Sequence, residues 1–144
     1  ILTVGDNSRL PKETLDALEN AVEQTKHNSG LVLNFALNYG GRAEIVSAVQ
    51  AIAKEVEAGK LSPEAIDEDL IAKHLMTDKL PYLYRDPDLI IRTSGELRLS
   101  NFLPWQSAYS EFYFTDVFWP DFDQQGLRQA ISDYNKRHRR FGGV

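Results

Sequence analysis

Apolar residues recur along this chain in two alternating patterns, short continuous runs and stripes at helical spacing. The first run, Ile1-Leu2-Thr3-Val4, predicts a strand ended by the turn-forming Gly5-Asp6-Asn7-Ser8. A helix is expected from about Pro11, whose fixed φ suits a first turn, with Leu15, Leu18 and Val22 on one face. Asn28-Ser29-Gly30 stop it, and the apolar residues 31–37 read as a largely buried strand. After the turn Asn38-Tyr39-Gly40-Gly41, a helical stripe of Ile45, Val46, Val49, Ile52, Ala53 and Val56 runs until Gly59. A second helix is expected from Ser62-Pro63-Glu64, where serine can cap and proline can sit in the first turn, to about Leu75. Asp86-Pro87 introduces a strand over residues 88–92, broken by Thr93-Ser94-Gly95. A short helix near Pro104, a strand over residues 111–115 and a last helix over about 123–137 complete the pattern.

Strands alternating with helices predict an α/β fold, with a mostly parallel central sheet flanked by helices, in which ligands sit beyond the carboxyl ends of the strands. That rule directs attention to residues 38–42, residues 92–100 and the segment around Glu111. With 144 residues and no repeat or linker, the length points to one domain.

Charge and composition narrow the function. A net charge of -5 argues against a general nucleic-acid binder, so any basic site is local. Without cysteine there is no disulfide framework, no thiolate zinc site and no thiol mechanism. No run approaches the roughly 20 apolar residues that span a bilayer, and the amino terminus lacks the layout of a signal peptide. The chain opens on a strand with no initiator methionine, so it is expected to be the carboxy-terminal part of a longer protein.

The densest polar cluster is Arg92-Thr93-Ser94-Gly95-Glu96-Leu97-Arg98-Leu99-Ser100-Asn101, between an apolar strand and an expected helix. Two guanidiniums, several hydroxyls and the N–H groups of a helix start suit an oxygen-rich anion such as diphosphate. The plainer alternative is that Arg92 or Arg98 pairs with Glu96 and that Ser100 caps the helix; composition alone favours it. Gly40-Gly41 with Arg42 could approach a phosphate, but matches no nucleotide fingerprint and reads more simply as a tight turn. Glu111 could serve magnesium beside a diphosphate, although one carboxylate makes no metal site and an exposed strand-end acid explains it as well. The aromatics Phe112, Tyr113, Phe114, Phe118, Trp119 and Phe122 suit a core or a subunit interface. Lys136-Arg137-His138-Arg139-Arg140 complements the negative end of a terminal helix, and Gly142-Gly143 after it could fold over an anion. His27, His74 and His138 show no metal-ligand spacing and read as surface residues.

Taken in order, these motifs resemble a known family. Residues 88–96, Arg98-Leu99-Ser100-Asn101-Phe102-Leu103-Pro104-Trp105-Gln106, Glu111-Phe112-Tyr113-Phe114 and Trp119-Pro120-Asp121-Phe122 are similar to the signature blocks of bacterial undecaprenyl diphosphate synthases, which are cis-prenyltransferases. Asn38-Tyr39-Gly40-Gly41-Arg42 and Arg140-Phe141-Gly142 resemble two further blocks. The resemblance implies a cytoplasmic, magnesium-dependent homodimer that adds isopentenyl diphosphate in cis to farnesyl diphosphate. Its product would be undecaprenyl diphosphate, the lipid carrier for cell-wall synthesis, delivered to the membrane. It assigns Arg92, Arg98, Leu99, Ser100, Arg140 and Gly142 to substrate binding and Glu111 to the magnesium site. Leu97 replaces a histidine that some relatives carry near the metal. The family's Asp-Gly-Asn-Gly-Arg loop, with the catalytic aspartate, is expected upstream of Ile1, so the 144-residue chain alone is expected to be inactive. Two rival readings are a noncatalytic partner subunit of a cis-prenyltransferase and a nucleotide-binding module using Gly40-Gly41 and Arg42.

Overall fold

The computed structural model describes residues 1–138; Arg140 and Gly142, both expected at the site, lie outside the described residues. The chain divides into two compact units, residues 1–85 and residues 86–144.

In the first unit, β1 (Leu2–Val4) pairs in parallel with β2 (Asn34–Ala36), Leu2 facing Asn34 and Val4 facing Ala36. A parallel pair needs a crossover, and α1 (Lys12–Thr25) supplies it. Gly5 closes β1 at φ 115°, where a Cβ would stand 1.9 Å from the Leu37 carbonyl oxygen, so only glycine fits. α2 (Gly41–Glu57) begins four residues before the apolar stripe does. Its buried line is Gly41, Glu44, Ala48 and Ile52. Of the expected stripe only Ile52 is fully buried, while Val46 and Val49 remain exposed. Helical spacing reveals which residues share a face but not what covers that face.

The helix expected from Ser62 divides in two. Ser62 donates its hydroxyl to Glu64 and caps nothing, and one turn of 3-10 helix (Pro63–Ala65) ends there. α3 (Glu68–His74) starts afresh with Asp67 as its cap, Oδ1 accepting from the Leu70 amide at 2.8 Å. α3 packs on α2, and His74 ties the two together: Nε2 lies 3.0 Å from Glu55 Oε1 and Nδ1 lies 2.8 Å from the Leu70 carbonyl. His74 is therefore a half-buried clasp rather than a free surface residue. Residues 31–37 are also less buried than their composition predicts. Leu31 is 90% exposed, and Leu33 and Phe35 are exposed too, because β2 is three residues long and pairs along one edge.

In the second unit, β3 (Leu89–Arg92) and β4 (Glu111–Phe114) form a parallel pair in the register Leu89 to Glu111 and Arg92 to Phe114. α4 (Gln124–Asn135), capped by Asp123 through the Gly126 amide, packs against β4. Within each unit the two strands are parallel, and the chain as a whole alternates strands with helices and turns, the α/β class expected from the sequence. The short helix expected near Pro104 is absent. Residues 101–109 form bends and turns instead, entered through Ser100, Asn101 and Leu103 at left-handed φ of 50°, 67° and 48°.

Candidate functional site

The loop that follows β3 is stitched to the exit of β4. The Ser94 amide donates to the Val117 carbonyl and the Gly95 amide to the Thr115 carbonyl, each at 2.9 Å, so the strand pairing continues past Arg92. Ser94 and Gly95, at φ 70° and 69°, then turn the chain away. Arg92, Arg98, Leu99, Ile91, Phe102 and Phe114, among others, line a concavity of about 240 Å³. Three of the expected substrate residues, Arg92, Arg98 and Leu99, therefore line one surface.

The two arginines differ in state. Arg92 is half-buried, and its Nε is fully shielded with no hydrogen-bond partner among the described residues. A shielded guanidinium donor without an acceptor is costly unless an anion completes it. Arg98 is 65% exposed and ion-paired with Glu96, the surface pairing that composition alone favoured. Ser100 is exposed and caps no helix, so the expected contribution of a helix start to anion binding is missing.

Glu111 begins the aromatic strand, as expected from the sequence. As the first residue of β4 it lies beside Leu89, at the opposite end of the strand pair from Arg92. Three parallel-strand steps separate those ends by roughly 10 Å. Its carboxylate accepts from Arg137 Nη1 at 2.6 Å, with side chains 27% and 37% exposed. No cluster of three metal-ligating residues occurs among the described residues. Glu111 nonetheless fits a hard divalent cation as a single ligand, because it is a reachable carboxylate whose surroundings already accommodate one positive charge.

In the first unit, the glycine turn is held from behind. Asn38, at φ 46°, donates from Nδ2 to the Asp6 carbonyl at 2.9 Å, and Gly41 is buried as the first residue of α2. Glu44, 1% exposed, receives the Tyr39 hydroxyl at 2.5 Å and the Met76 amide at 2.7 Å. Sequence reading missed Glu44, since a lone acid on an apolar helix looks like a solvated residue. Its position one turn after Gly40 and Gly41 was the available signal.

The comparisons agree with one another. The family model described as putative undecaprenyl diphosphate synthase matches residues 1–142. The chain is 95% identical over its full length to an isoprenyl transferase of Streptococcus thermophilus and 69% identical to one of Streptococcus agalactiae. It spans 58% of the length of each of these relatives. A solved lavandulyl diphosphate synthase from Lavandula x intermedia, in complex with dimethylallyl diphosphate, matches 98% of the chain at 44% identity and a TM-score of 0.94, over 59% of its own length. A probable undecaprenyl diphosphate synthase from Campylobacter jejuni matches 99% of the chain at 35% identity and a TM-score of 0.78, over 62% of its length. The chain belongs to the prenyltransferase family of the undecaprenyl diphosphate synthases.

Proposed function

We propose that this chain contributes the isopentenyl diphosphate side of a cis-prenyltransferase that extends farnesyl diphosphate to undecaprenyl diphosphate. The observation that carries the reading is the shielded, unpartnered Nε of Arg92 beside Arg98 in one concavity after β3. A diphosphate there would satisfy Arg92 and draw Arg98 from Glu96, since a guanidinium matches phosphate through paired charge-assisted bonds. Leu99 and Ser100 follow Arg98 on the same loop, and Arg140 and Gly142 join them in the proposed substrate set.

Magnesium is the proposed cofactor, with Glu111 as one of its ligands and diphosphate oxygens among the others. When bound, it would neutralise charge developing on a diphosphate. The proposed assembly is a homodimer, as the family resemblance implies. No helix among the described residues is long and apolar enough to cross a membrane. Action in the cytoplasm, with product passing to the membrane, completes the proposal.

The test is incorporation of labelled isopentenyl diphosphate into farnesyl diphosphate by the full encoded protein, with and without magnesium. Long, magnesium-dependent, cis-configured product is expected. A folded protein that makes none would overturn the reading. Arg92→Ala should weaken isopentenyl diphosphate binding by about 2–5 kcal/mol, as expected for loss of a desolvated charged contact.

A further inference from the structure

Arg137 lies just beyond the last turn of α4, its amide donating to the Tyr134 carbonyl at 3.1 Å. From there its guanidinium reaches 26 residues back in sequence to the Glu111 carboxylate. The neighbouring cation, Lys136, is engaged elsewhere, with Nζ 3.2 Å from Asp133 Oδ1. Arg137 also acts electrostatically on Asp133, which hydrogen bonds from Gln129 and then Lys136 keep below the usual carboxylate range. The anion that Arg137 contacts is therefore Glu111 on β4, not the acid of its own helix.

We propose that Arg137 is a positioning residue that occupies the Glu111 carboxylate until a divalent cation displaces it, so that cation binding releases the end of α4 from β4. The proposal rests on Glu111 being a cation ligand. A partly exposed ion pair is weak enough to be exchanged, and a dication outcompetes a guanidinium at a single carboxylate when phosphate oxygens complete its shell. Displacement leaves the guanidinium, 37% exposed in the pair, to return to water, which lowers the cost of exchange.

The experiment uses the full encoded protein and Mn2+ as the probe, titrated in the presence of isopentenyl diphosphate and followed by electron paramagnetic resonance. Arg137→Gln should tighten Mn2+ binding about two- to fivefold, the equivalent of removing one exposed ion pair. Glu111→Gln should abolish that binding, and Lys136→Gln should leave it unchanged. In the wild type, Mn2+ should speed hydrogen exchange at the amides of residues 135–138, an effect lost in Glu111→Gln. Mn2+ binding that requires Glu111 but is unchanged or weakened in Arg137→Gln would overturn the exchange and leave the metal role standing. Mn2+ binding indifferent to Glu111→Gln would overturn both.

Discussion

Tyr39 and Glu44 face each other across the first turn of α2, the phenol donating to Glu44 Oε2 at 2.5 Å. The other carboxylate oxygen receives the Met76 amide, so one buried side chain fastens the glycine turn to the segment after α3. Glu44→Ala would leave a buried amide unanswered and should cost about 3 kcal/mol, whereas Glu44→Gln, which keeps one acceptor, should cost about 1 kcal/mol. Urea unfolding of the two variants checks the order, and equal losses would mean that the site collapses around either side chain.

Gly5 admits no replacement. A Cβ there would overlap the Leu37 carbonyl, and the backbone sits at φ 115°. Gly5→Ala should destabilise the chain by more than about 3 kcal/mol, with β1 and β2 the first to lose protection in hydrogen exchange.

A milder effect is expected at Gly95, where φ is 69° and a Cβ would come 3.1 Å from Asp116 Oδ1. Gly95→Ala should cost about 1–2 kcal/mol from the left-handed backbone alone. Adding Asp116→Ala should relieve only the contact, so a double variant restored to wild-type stability would show that the backbone conformation carries no strain.

His74 gives the fold a pH dependence. Both ring nitrogens face acceptors, Glu55 and the Leu70 carbonyl, so the doubly protonated ring satisfies both. The bond to Glu55 raises its pKa above 6.5, helped by the Leu70 carbonyl and by the charges of Glu55 and Asp78, against some loss of hydration. Since the folded pKa lies above the unfolded one, the stabilisation is complete below pH 6.5 and is lost as pH rises through the folded value. Urea midpoints for the wild type should therefore fall from pH 6 to pH 8 by more than those of His74→Gln. Parallel curves for the two proteins would remove His74 from the pH dependence.

The sequence announced most of the elements but not their surroundings. β3, β4 and α4 were legible because apolar runs and an Asp123 cap are local signals. The exposure of Leu31 and Val46 was not, because burial depends on covering elements that a local pattern does not contain. The helix expected near Pro104 gave way to turns, and of the left-handed residues before it, Ser100, Asn101 and Leu103, only Asn101 is of a type that favours that conformation. At the site, Arg92, Arg98 and Leu99 were found as a group because one loop holds them. The relation of Glu111 to Arg137 was invisible, since nothing across a separation of 26 residues marks which cation folds back on which acid.

The stitched exit of β3 sets the two arginines of the concavity apart in entropy. Arg92 belongs to a strand whose pairing continues through Ser94 and Gly95, and its side chain is already confined. Arg98 lies beyond that stitching, mostly in water, with close to 2 kcal/mol of rotamer freedom still to lose. An anion arriving here would meet one donor whose ordering was completed when the chain folded, and another whose ordering is deferred until contact. Affinity would then be governed by Arg92, and the rate of release by how readily Arg98 returns to Glu96.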